Sequence, residues 1–489
     1  MNFSISFSEL YALAPVMIVA LTAVITMLLV ALKRHHTIVA TATVVGLNLA
    51  ALLIIRDLWL GVEPVNIMGL FVIDPFAHVY MLMILVAALA CCTLSHAYID
   101  SYQDQKEELY LLVLVSVFGA MLMVASTHYA SFFISLETMS IPVYGMLAYT
   151  YQRRNSLEAG IKYLVLSATA SAMLLMGFAY VYAYTGEMGF TNSALKIIEH
   201  LNEPLVVIGL GLVLFACAFK LSLAPFHKWT PDVYQGAPTP MATFLATVAK
   251  VAMLGLVLRY ILTSGTLVLD GMMTVLTIIA VMSIVVGNLL AVTQVNIKRI
   301  LAYSSIAHFG YLLVALISTD VSSVQTITVY IATYTLTTIG AFGAVSLMSS
   351  PYNNLDEAES LADYRGLFWR RPVLTATLTV MMLSLAGIPL TAGFIAKFVV
   401  VLSAVAATNW FLAAMIIIGS GIGLYYYLRV MVVMYMTAPD VPRIDAQGNW
   451  GKTAGGAMVL GAALLVLFLG IYPEALLNFA ELAKIAVPH

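Results

Sequence analysis

Long apolar runs alternate with short polar connections along the whole chain. They fall at residues 8–31, 37–56, 72–98, 109–126, 128–150, 158–184 and 204–224, then at 240–263, 270–293, 297–318, 322–348, 373–405, 409–437 and 453–473. A run of about 18 or more apolar residues can cross a bilayer as a helix. The pattern therefore predicts an all-α polytopic membrane protein of about fourteen spans, with both termini on one side. No connection is rich in Gly, Ser or Pro, and none is long enough for a hydrophilic domain.

Composition agrees. Of 489 residues, 62% are hydrophobic and 9% charged, whereas a soluble domain carries about 25% charged residues. A soluble enzyme is excluded, and a net charge of −2 offers no field for nucleic acid. The segment Met1 to Leu10 contains Glu9 but no Lys or Arg. It lacks the basic region of a signal peptide, so the first apolar run is read as a retained span. Cys91, Cys92 and Cys217 lie in apolar runs without a C-x-x-C pair and are read as packing residues, with no metal site.

The basic residues orient the chain. Odd-numbered connections hold Lys33, Arg34, Lys106, Arg153, Arg154, Lys228, Lys298, Arg299, Arg365, Arg370, Arg371, Arg443 and Lys452, whereas the other face holds Arg56, Lys196, Arg259 and Lys484. Short loops richer in Lys and Arg stay cytoplasmic. Both termini are thus expected outside, in the periplasm of a bacterium. The polar stretch from Pro351 to Arg371, with Asp356, Glu357, Glu359 and Asp363, reads as a cytoplasmic loop, either a docking surface or a solvated connector.

Lys162, Lys220, Lys250, Lys397 and Arg429 lie inside apolar runs, as does Glu137. An ionised group at the bilayer centre costs at least about 2.5–3.5 kcal/mol, and such groups mark ion or proton paths. Arg429 and Lys162 read equally well as side chains snorkelling to the interface; the others lie too deep. Burial disfavours a charged amine and a nearby carboxylate favours it, so a buried lysine can exchange a proton where arginine stays charged. One acid followed by lysines on successive spans suits a proton wire.

Two spans are interrupted. In the run from Phe219 to Pro225, the proline clashes with the Leu221 carbonyl and breaks the helix after Lys220. Thr230-Pro231 reads as a helix restart, and Thr239-Pro240 as the start of the next span. A second break is expected at Pro389, ahead of Lys397. Interrupted segments in both halves of a chain point to inverted repeats around a midplane ion site. A proline kink without a transport role is the alternative. His308 could bridge the lysine groups or serve as a structural histidine, and Asp74 before Pro75 reads as the cap of the third span.

The run from Lys220 to Pro240, KLSLAPFHKWTPDVYQGAPTP, resembles the signature of the antiporter-like proton-channel subunits of respiratory complex I. TFLATVAK ending at Lys250, NIKRILAYSSIAHFGY from Asn296 and YRGLFWRRP from Tyr364 are similar to the subunit N family in particular. This resemblance implies fourteen spans with two inverted five-helix repeats. Spans 1–3 would occupy residues 1–108, the first repeat 109–263, the second 270–437, and the last span and C-terminus 438–489. It implies that Glu137 pairs with Lys220, Lys250 links two half-channels, Lys397 gates the outward half, and Lys162 is an auxiliary lysine near the pair.

The implied partners are the lipid bilayer, the other membrane subunits and, through them, a peripheral arm. Flavin, iron–sulfur clusters and the quinone site would belong to those partners, with no cofactor in this chain. The related subunit L has a long C-terminal extension, whereas this chain stops soon after its last span; subunit M has a glutamate where Lys397 stands. A sodium/proton antiporter subunit and a spacing scaffold are the rival readings.

Overall fold

The computed structural model describes residues 6–100, 105–201, 203–264, 270–318, 323–349, 357–438, 444–446 and 450–486. Met1–Ile5, Asp356 and Arg443, used in the sequence reading, lie outside the described residues. The chain opens with α1 (Phe7–Ala12), α2 (Ala14–Leu32) and α3 (His36–Leu60). A short antiparallel hairpin follows, β1 (Val65–Ile67) and β2 (Phe71–Ile73), a small exception to the all-α expectation. Then come α4 (Pro75–Ile99), α5 (Glu108–Ala125), α6 (Tyr129–Leu147), α7 (Arg154–Thr185) and the short α8 (Phe190–Glu199).

The first interrupted region comprises α9 (Pro204–Lys220), α10 (Trp229–Gly236), α11 (Thr239–Ala246) and α12 (Val248–Ser264). Next are α13 (Asp270–Val292), α14 (Ile297–Ile317), α15 (Ser323–Met348) and the one-turn α16 (Leu367–Arg370). The second interruption separates α17 (Pro372–Ala386) from α18 (Ala392–Ala406); α19 (Trp410–Tyr435), α20 (Ala454–Ile471) and α21 (Glu474–Glu481) complete the fold. Among the described residues, twelve helical stretches are long and apolar enough to cross a membrane, counting α11 with α12 as one, and α9, α17 and α18 are shorter apolar helices.

Burial ranks the helices. α11, α12 and α14 are almost wholly enclosed by other helices, whereas α2 and α20 bury one face and turn Leu28, Leu464 and Phe468 outward. In a bilayer such outward side chains meet lipid, and helices associate through close contact. Gly177 on α7 meets Gly209 on α9 in this way: a Cβ on Gly177 would lie 2.7 Å from the Gly209 carbonyl oxygen. That contact brings α7 and α9 together and sets the spacing of the first half of the site.

Three expectations need correction. Arg259 is not in a connection; it is fully buried on α12, where Nη1 and Nη2 donate to Asp74 at 3.0 and 2.7 Å. Asp74 does cap α4, accepting the Ala77 N–H at 2.8 Å, and one carboxylate serves both donors. α10 begins at Trp229 rather than after Thr230, because Pro231 falls in the first turn, where the N–H groups have no helical partner anyway. Finally, residues 357–371 form no free connector. They fold back on the bundle through a 3-10 turn at Leu361–Tyr364 and α16, and Glu357 and Asp363 are buried.

Candidate functional site

Glu137 lies on α6, five residues before Pro142, a proline inside the helix. Its carboxylate accepts a hydrogen bond from the Ser171 hydroxyl at 2.5 Å. Lys220, the last residue of α9, donates to Ser140 at 2.9 Å and Ser167 at 2.7 Å. Ser140 stands three residues beyond Glu137 on α6, while Ser167 and Ser171 are one turn apart on α7. Acid and lysine are thus each held by serine hydroxyls of α6 and α7, and no direct ion pair between them occurs among the described residues. Tyr144 joins the group through Ser167 at 2.9 Å.

Pro225 follows Leu221 by four residues, and the Leu221 carbonyl, left without a helical donor, accepts from Lys250 Nζ at 2.7 Å. The Phe309 ring covers the ammonium at 4.5 Å. The second half repeats the device with other residues. α17 stops at Ala386, whose carbonyl accepts from Lys397 Nζ at 2.9 Å, and the ammonium lies 5.5 Å from the centre of the Tyr311 ring. Each lysine thus sits at the negative end of a broken helix, where a cation is favoured.

Gly387 makes the second arrangement possible. Its φ is +83°, a left-handed conformation, and a Cβ there would lie 2.7 Å from Lys397 Cδ. Gly387→Ala is expected to cost about 1–3 kcal/mol and to push the lysine off the Ala386 carbonyl. A lowered melting midpoint together with reduced pumping would be the result; an unchanged midpoint would argue against this geometry.

α14 runs between the two lysines and presents Phe309 to one and Tyr311 to the other. His308 lies in the same turn. Its Nδ1 is 2.6 Å from the Tyr330 hydroxyl and its Nε2 is 3.2 Å from that of Tyr427. Tyr427 also bonds Ser304, and Tyr334 donates to Ser305 at 2.8 Å. Asn288 donates to the Tyr311 hydroxyl at 3.0 Å and accepts from Tyr426 at 3.1 Å. Sequence reasoning singled out His308 but not its neighbours Asn288, Tyr330, Tyr426 and Tyr427, because a tyrosine in an apolar run reads as core. The adjacent pair Tyr426-Tyr427 was the available signal.

The other charges are placed differently. Lys162 is 42% exposed and pairs with Glu158 at 2.7 Å and Asp232 at 3.2 Å, beside an open polar pocket that Asn155 and Gln235 also line. No hydrogen bond or ion pair joins it to Glu137 or Lys220 among the described residues. Arg429 caps α13 by donating to the carbonyls of Val292, at 2.8 Å, and Gln294. Glu357 meets Lys298, Arg153 and Tyr98. Burial raises its carboxyl, but Lys298 and Arg153 outweigh burial and hold it below the usual carboxylate range. These contacts are complete at neutral pH and weaken only as pH falls through that lowered value. The three cysteines are free and buried, and no metal-ligating cluster of His, Cys, Asp or Glu occurs among the described residues.

Comparison with known proteins fits this arrangement. Residues 126–423 match the family described as NADH:quinone oxidoreductase/Mrp antiporter, TM. NADH-quinone oxidoreductase subunit N of Acinetobacter baumannii is 71% identical over 489 residues, covering 100% of this chain and 98% of that protein. A chain of respiratory complex I from Thermus thermophilus superimposes with a TM-score of 0.81 at 32% identity, covering 95% of this chain and 98% of its own length. A chain of the archaeal membrane-bound sulfane sulfur reductase has the same fold, with a TM-score of 0.83 at 23% identity over 96% of each chain. The chain belongs to the NADH-quinone oxidoreductase subunit N family.

Proposed function

We propose that the Glu137, Lys220, Lys250 and Lys397 row carries the coupling charge of this subunit, with His308 and Lys162 as auxiliary groups. The chain is a multi-pass membrane subunit of proton-translocating NADH:quinone oxidoreductase. The observation that carries the proposal is the paired placement of Lys250 and Lys397. Each is anchored to a carbonyl beside a helix break, at Pro225 or Pro389, and α14 lies between them. Irregular backbone at membrane depth is tolerated only inside protein or beside water.

Counting the interrupted pair α17–α18 as one span and α9 as another gives fourteen spans. Residues 1–108 form spans 1–3, 109–263 and 270–437 the inverted five-helix repeats, and 438–489 the last span and C-terminus. The excess of Lys and Arg on one face supports an orientation with both termini outside a bacterial inner membrane. Flavin and iron–sulfur chemistry belongs to the peripheral arm, reached through neighbouring membrane subunits, and this chain needs no redox centre of its own.

Electron transfer elsewhere would shift the charge on Glu137 relative to Lys220, and the proton affinities of Lys250 and Lys397 would follow. Lys162, half in water beside Asp232, sits where cytoplasmic protons are taken up. In assembled complexes, Lys220→Ala and Lys397→Ala are each expected to lower NADH-driven pumping in membrane vesicles about tenfold, measured alongside quinone reduction. If both variants keep full pumping and quinone reduction, the row is dispensable and the scaffold reading replaces it.

A further inference from the structure

One buried carboxylate gathers donors from both halves of the chain. Glu357, shortly before the 3-10 turn at Leu361–Tyr364, accepts from Arg153 Nη1 at 3.1 Å, at the start of α7. It also takes the Thr239 hydroxyl at 3.0 Å and the Thr239 N–H at 3.3 Å, at the start of α11. Tyr98, near the end of α4, donates its hydroxyl, and Lys298, in the first turn of α14, contributes its ammonium. Lys298 has no exposed surface and donates a second bond to the Ala237 carbonyl at 2.8 Å.

The chemistry explains why an anion sits here. α11 has no side-chain cap of its own, Pro238 precedes it, and Pro240 lacks an N–H. The Thr239 N–H therefore needs an outside acceptor, and the positive end of a helix favours a carboxylate. Two cations flank Glu357, so without it Lys298 and Arg153 would lose the counter-charge they share. The junction between α10 and α11 is gripped a second time from α14: Arg299, next to Lys298, donates to Asp232 at 2.7 Å and to Gln235 at 3.1 Å. This junction lies between the Leu221 carbonyl and Lys250, the two partners of the first break.

We propose that Glu357 is a positioning residue: with Lys298 and Arg153 it forms an ionic clasp that fastens the α10–α11 junction to α14 and so holds Lys250 against Leu221. This inference rests on the assignment of Lys250 to the coupling row. It adds to that row a group on the cytoplasmic side that exchanges no proton itself.

The test uses the whole complex in membrane vesicles and reads NADH-driven pumping together with the amount of assembled enzyme. Glu357→Gln leaves Lys298 and Arg153 facing a neutral amide. Pumping is expected to fall roughly threefold to tenfold, while Glu357→Asp keeps most of it. Adding Lys298→Met to Glu357→Gln should restore nothing, because the Lys298 bond to the Ala237 carbonyl, the other hold of α14 on this junction, is then lost as well. Exchanging the charges, as Glu357→Lys with Lys298→Glu, should restore nothing, because Arg153 and the Thr239 N–H would then face an ammonium.

If Glu357→Gln blocks assembly, the amount of assembled complex becomes the readout and the same ranking is expected. Normal pumping in assembled Glu357→Gln overturns the clasp, as does a double variant that recovers pumping, or a charge exchange that works. Lys250→Ala, measured in parallel, separates the two ideas. A loss there with none in Glu357→Gln removes the clasp and keeps the row. A loss in Glu357→Gln with none in Lys250→Ala removes the row and, with it, the target assigned to the clasp.

Discussion

Lys250→Ala is expected to reduce NADH-driven proton pumping about tenfold or more, in membranes where the complex assembles normally. The amine occupies a site that water cannot easily fill, between the Leu221 carbonyl and the Phe309 ring. Its removal leaves that carbonyl without a donor and opens a gap between the two halves of the row. Lys250→Arg is the sharper experiment. Arginine can supply the charge and the donor, but it does not release its proton in a protein. A variant that binds Leu221 yet fails to pump would assign proton exchange to this position. Full pumping in Lys250→Arg would reduce Lys250 to a helix-end anchor.

Arg259→Met is expected to destabilise the subunit by about 3–5 kcal/mol, enough to deplete the assembled complex. Arg259 has no exposed surface, gives both Nη groups to Asp74 and spends Nε–H on the Val124 carbonyl at 2.9 Å. Removing it strands a buried carboxylate. Adding Asp74→Asn should recover part of the loss, since the amide oxygen can still cap α4 and no buried charge remains. Immunoblots of solubilised membranes would rank the three chains. Equal losses in the single and double variants would mean that shape, not charge, holds this corner.

The spans were legible because a bilayer demands long apolar runs, and the run boundaries survive almost intact in α2 to α7. The breaks were legible because Pro225 and Pro389 remove backbone donors whatever the surroundings. The partners of the charges were not. Ser140, Ser167 and Ser171 are unremarkable in sequence and meet Lys220 or Glu137 only because α6, α7 and α9 lie side by side. Arg259 stands near the end of an apolar run, where a charge ordinarily marks the interface; Asp74, 185 residues away, and the Val124 carbonyl hold it inside. Lys162 shows the reverse. Its surroundings are apolar in sequence, but its neighbours in space are Glu158, Asp232 and solvent.

The carboxylate of Asp74 also receives the N–H of Ala486, across 412 residues of sequence, and the Phe76 N–H donates to the Lys484 carbonyl at 3.2 Å. During synthesis α4 enters the membrane long before these residues leave the ribosome. The corner around Asp74 must therefore wait, incompletely bonded, until the last segment arrives. Biogenesis of this subunit should accordingly pass through a nascent species whose early helices are inserted but not yet locked, and a factor that shelters unfinished membrane proteins would find its substrate in that interval.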